Sequence, residues 1–135
     1  MNTINTKIES VRQLADFAMQ YLDIDGVTLT IVPGARLLQR LSGPDYELHA
    51  AIFKTAVDHA YQLVVDCYRP ASLVICHEMV HLKQYEDGRL SIDKTTGNCN
   101  WEGDTFTKDT PYYQRPWEEE AFGLQSTIYK QFKHR

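Results

Sequence analysis

The sequence predicts an α+β domain, with a small, mainly antiparallel sheet packed on an N-terminal helix, a central helix and a C-terminal helix. Three observations carry this expectation. Apolar residues recur at helical spacing near both ends of the chain. Short segments between the ends alternate apolar with polar or small residues, as strands do. The stretch from Ser72 to Tyr85 is apolar around much of a helical cylinder. The 135 residues suit one domain spanning 1–135, with no internal repeat or low-complexity tract.

Residues 5–22 read as an amphipathic helix, since Ile8, Val11, Leu14, Ala15, Ala18 and Leu22 share one face. Asp25-Gly26 stops it. Val27, Leu29 and Ile31 then alternate with Thr28 and Thr30 in a half-buried strand that Pro33-Gly34 ends. Leu37, Leu38 and Leu41 fit a short helical turn, and Ser42-Gly43-Pro44 a loop. Tyr46, Leu48, Ala50 and Ile52 alternate as a second strand, and Tyr61–Val65 form a third. Residues 54–60 link them as a turn or a short helix. Arg69-Pro70-Ala71-Ser72 opens the central helix, with Pro70 in its first turn or Ser72 as its cap, and Asp87-Gly88 stops it. Residues 89–110 read as a hairpin or extended loop. Pro116 opens the last helix, whose apolar stripe is Ala121, Leu124, Ile128 and Phe132.

The composition narrows the function. A formal net charge of −4 gives no global basic field to hold nucleic acid. No apolar run is long enough to span a bilayer, so no membrane partner is expected. The N-terminal segment lacks a signal-peptide apolar region, and Cys67, Cys76 and Cys99 fit no paired zinc or redox spacing. The expectation is a cytoplasmic protein with reduced thiols.

The chemistry lies in His77-Glu78-Met79-Val80-His81, an H-E-x-x-H pattern. From this composition, chance would place the pattern in about one such chain in a hundred. On a helix, positions i and i+4 share a face, so both imidazoles can reach one ion. Glu78 falls beside them, where it can act as general base toward a metal-bound water. The bland alternative is a surface helix with solvated His and Glu. The apolar flanks oppose it, because an unpaired buried His-Glu-His cluster is costly.

A catalytic zinc usually takes three protein ligands and keeps one position open. No H-x-x-G-x-x-H continuation follows His81, and His134 sits beside the chain's last residue, where ends fray. Carboxylates remain, and Glu118-Glu119-Glu120 stands just inside the last helix. Glu118 precedes Ala121 by three, so a small residue shares its face and permits close helix approach. Glu120 is the alternative third ligand, followed by Glu102 or an aspartate. Favourable interaction with the positive helix N-terminus explains at least one of the three glutamates without any metal. Tyr112 and Tyr113 precede this helix and are candidates for substrate or oxyanion contact, against plain packing. Gln84 is a candidate to orient a ligand histidine. Cys76, His49 and His59 read as structural.

With these residues in view, the chain resembles the small gluzincin-like metallopeptidases of the zincin group, especially those of phage and prophage origin. Three blocks carry the resemblance: His77–Gln84, Trp101-Glu102-Gly103 and Arg115-Pro116-Trp117-Glu118-Glu119-Glu120-Ala121. They come in the family's order over residues 77–121, whereas the first 70 residues agree only in layout. The resemblance implies a minimal zincin-like domain with one catalytic Zn2+ and a peptide or protein substrate. ImmA/IrrE-type peptidases show a similar E-x-x-A arrangement, which places Glu118 ahead as the ligand beside His77 and His81. Glu119 stands where the family commonly has an apolar residue. The expected function is zinc-dependent peptide hydrolysis with Glu78 as base. The alternative is a zinc-containing binding or regulatory module without turnover.

Overall fold

A computed structural model describes residues 1–42, 48–66 and 72–135. The expectations for Tyr46, Gly43-Pro44, Cys67 and Arg69-Pro70-Ala71 lie outside the described residues. In chain order the elements are β1 (Thr3–Asn5), α1 (Glu9–Tyr21), β2 (Thr28–Pro33), α2 (Ala35–Leu41), β3 (Ala50–Lys54), β4 (Ala60–Val65), α3 (Ser72–Glu86), β5 (Leu90–Ile92), β6 (Cys99–Trp101), β7 (Asp104–Phe106) and α4 (Pro116–Lys133). The class is α+β, as the sequence predicts. No helix among the described residues is long and apolar enough to cross a membrane.

The larger sheet has the order β1-β2-β4-β3. β1 and β4 run parallel to β2, and β3 runs antiparallel to β4. β5, β6 and β7 form a separate antiparallel sheet. Alternation decides which face of the larger sheet is buried. Leu29, Ile31, Leu63, Val65, Ala50 and Ile52 point into the core, with Ile31 paired to Leu63 and Leu63 to Ile52 across the strands. α1 and α3 cover this face, and α4 packs against both of them. α1 contributes Val11, Leu14, Ala15, Ala18 and Met19, and α4 contributes Ala121 and Ile128.

One expectation changes at the N-terminal end, the start of the first helix at residue 5. The first helix begins at Glu9, and Thr3–Asn5 forms β1. Thr3 pairs with Thr28, so a distant partner decides what local periodicity cannot. The Arg12 guanidinium donates to the Thr6 carbonyl at 2.7 Å and to the Ile4 carbonyl, which fixes the turn between β1 and α1. The 54–60 link is a turn.

Residues 89–110 form the three-stranded sheet. Glu102 and Gly103 make its tight β6–β7 turn, with φ of 50° and 92°. Both central residues are left-handed, which matches the strand twist of a two-residue hairpin. Leu90, Trp101 and Trp117 form a second core that joins this sheet to the start of α4.

Candidate metal centre

α3 is buried along most of its surface, including Ile75, Cys76, Met79, Val80 and Leu82. His77, His81 and Gln84 are its buried polar residues. The spacing of four puts His77 and His81 on one face, with Nε2 atoms 3.1 Å apart. α4 begins at Pro116 and packs along α3, the Gln84–Trp117 and His77–Gln125 contacts bracketing the fully buried Ala121. That close packing brings Glu118 to the histidines. Its Oε1 lies 2.8 Å from His77 Nε2 and 2.7 Å from His81 Nε2. His77, His81 and Glu118 therefore form a group that can hold a metal ion.

The chemistry of this donor set calls for a cation. His77 Nδ1 lies 2.8 Å from Gln125 Oε1, and His81 Nδ1 lies 2.8 Å from Gln84 Oε1. The Gln84 amide is oriented independently, since its Nε2 donates to the Trp117 carbonyl at 3.0 Å and to Glu120 at 3.1 Å. Its oxygen then faces His81. An amide oxygen accepts, so each Nδ1 is the nitrogen that donates, and each Nε2 is the one turned toward Glu118, where its lone pair is open to a metal once Nε2 is free of a proton. Two Nε2 atoms and a carboxylate oxygen meet at one point. A single proton can bridge only one pair of them, whereas one metal ion satisfies all three.

Without a metal, Glu118 and His81 hold each other in the charged form. Burial would raise the Glu118 carboxyl, but His77 and His81 outweigh it and bring it down to about 2. Burial would lower His81, but Glu118 outweighs it and lifts the metal-free imidazole to about 9. Phe122, one turn beyond Glu118, packs its ring edge against His77 with centroids 4.7 Å apart.

Glu78 lines the same cleft as His77, His81 and Glu118. Burial raises its carboxyl to about 7, against the pull of His81 and His77. Ile52 of β3 lines the cleft beside it, and the Ile52 backbone also lowers the Glu78 carboxyl. Tyr112 lines the cleft; burial first, then the nearby Glu118 carboxylate, raises its pKa, so it remains a neutral donor. Tyr85 and Arg115 complete the cleft's polar lining.

Several candidates fall elsewhere. Glu120, the alternative ligand, accepts from both terminal nitrogens of Arg89 at 2.9 and 2.7 Å, and so is turned away from the histidines. Glu102 also pairs with Arg89, at 3.2 Å. Glu119 is exposed. Tyr113 is 83% exposed and does not line the cleft, unlike Tyr112. Cys76 is fully buried as a free thiol in the core, and His59 pairs with Glu86. The sequence reading missed Gln125 and Phe122. Both follow from Glu118 by helical spacing, at i+7 and i+4.

No known protein family, curated protein or solved structure matches the chain.

Proposed function

We propose that the chain is a zinc-dependent peptidase of the zincin type. The observation that carries this reading is the placement of Glu78, a carboxylate that lines the same cleft as the His77-His81-Glu118 group without belonging to that group. A site that only holds a metal for stability has no use for a buried acid beside the ion that is not one of its ligands. Two imidazoles and one carboxylate are a known catalytic zinc set.

Zinc held by His77, His81 and Glu118 would supply a Lewis acid that polarises the scissile carbonyl and makes water a nucleophile near neutral pH. Glu78 takes the proton from the attacking water and passes it to the leaving amine. Tyr112 donates its hydroxyl to the oxygen that becomes negative as the carbonyl is attacked. The backbone rim of β3, beside Glu78, receives the substrate as an added strand.

Glu78→Gln tests the reading. The variant should bind zinc at the native ratio and lose about 10²–10⁴ in turnover on a quenched peptide library. A native, zinc-loaded chain that cleaves none of the library would overturn the peptidase reading in favour of a zinc-containing binding module.

A further inference from the structure

The cleft does not end at the metal centre. Ile52, Tyr85, Leu90 and Ile92 line both the cleft and a second cavity that continues it along β3. Together they form a groove with the rim of β3 on one side and β5 on the other.

The charge of this groove runs against that of the chain. The sequence has 18 acidic and 14 basic residues. Yet apart from Glu78 and Glu118 of the centre, every Asp, Glu, Lys or Arg among the described residues lining the two cavities is basic: Arg115, Lys54 and Lys94. None of the three forms an ion pair among the described residues. Arg115 donates Nε to the Thr110 carbonyl at 3.0 Å and stacks 5.7 Å from the Tyr112 ring. Its charge is left for something else. Arg89 provides the contrast, because Glu120 and Glu102 both neutralise it. A divalent ion at the centre would be balanced by Glu78 and Glu118, leaving the groove with three uncompensated positive charges.

We infer that this groove selects an acidic peptide, with Arg115, Lys54 and Lys94 recognising carboxylate side chains of the bound chain. The inference rests on the peptidase reading for the centre and adds the class of substrate. The position of Lys54 sets the spacing. Glu78 meets the strand at Ile52, and a strand rises about 3.4 Å per residue, so Lys54 lies roughly 7 Å further along. Substrate acids should therefore fall within about two or three residues of the scissile bond.

Binding and cleavage separate this inference from the reading beneath it. Two fluorescein-labelled peptides share an apolar centre and carry flanking Glu or flanking Lys. Their anisotropy is titrated with the zinc-loaded full chain carrying Glu78→Gln, so that binding is read without turnover. The Glu-flanked peptide should bind at least about tenfold more tightly at low salt, and the gap should close at high salt. The double variant Lys54→Glu/Lys94→Glu changes only exposed side chains and should reverse the preference. Equal affinity for both peptides, binding of neither, or a preference untouched by the double variant would overturn the inference; the last would assign it to chelation by the metal. The native chain then reports separately. Cleavage without charge preference sinks the acidic groove and leaves the peptidase. Acid-selective binding without cleavage sinks the peptidase and leaves the groove.

Discussion

What each imidazole does at the centre is decided by the amide behind it. Gln125 and Gln84 fix the Nδ1 protons of His77 and His81 and so aim both Nε2 atoms at Glu118. Gln125→Leu removes the acceptor while keeping similar bulk. It should weaken zinc binding about 10–100-fold in a competition titration with a chromophoric chelator, with little change in fold. Gln84→Leu should cost at least as much, because the same amide also anchors Trp117 and Glu120. Protons should compete with the metal. His81 sits at about 9 without metal, so near neutral pH it holds a proton that a metal must displace. Calorimetry in buffers of differing ionisation enthalpy should show about one proton released per zinc, with affinity falling roughly tenfold per pH unit below 9. Zinc binding without proton release would contradict this account of His81. His77, Glu78 and His81 were legible in the sequence because a four-residue step has one meaning on a helix. Gln125 was not, since its i+7 relation points to the centre only once Glu118 is known to be there.

Between elements, the packing of α4 along α3 decides whether a centre exists. Ala121 is fully buried in that contact, one turn from Glu118. Ala121→Leu should force the helices apart, costing about 1–3 kcal/mol of stability. It should also displace Glu118, so zinc affinity should fall more steeply than that of a core variant remote from the contact, such as Ile31→Val. Thermal melts and zinc titrations of the two variants make the comparison. The sequence conveyed this contact through a small residue three positions after a glutamate. It conveyed less about the sheet. Alternation at Leu29 and Ile31 marks a strand and its buried face but carries no information on strand direction, so the parallel pairing of β2 with β1 and β4 stayed hidden. β1 carries no sequence signal for a related reason, as its strand state depends on Thr28 and its neighbours, far along the chain.

For the molecule as a whole, the centre ties α3 to α4 across the segment that holds the smaller sheet. Zinc that binds only the folded chain should add about 3–4 kcal/mol at 100–1,000 times its dissociation constant, a shift on the order of 10 °C in melting temperature. Chelation should remove it, as followed by circular dichroism. The metal-free protein should also lose stability as pH rises from about 6 to 9. His81, raised to about 9, stabilises the fold fully below its unfolded value near 6.5 and yields that contribution as pH climbs through 9. Glu78, raised from 4.5 to about 7, acts in the same direction, its loss starting near pH 4.5 and complete a little above 7. A melting temperature that rises over this interval without metal would contradict both signs. The position of β3 has a further consequence, unconnected with catalysis. In its sheet it has β4 on one side and no strand on the other among the described residues. A bare row of backbone donors and acceptors is a template for any extended chain, including a second copy of the protein. Two such rims laid together would bring the exposed Lys54 of each copy into a shared positive field, which opposes stacking of like on like. The rim is thus open to a guest of opposite charge and resistant to growing into a fibre of its own kind.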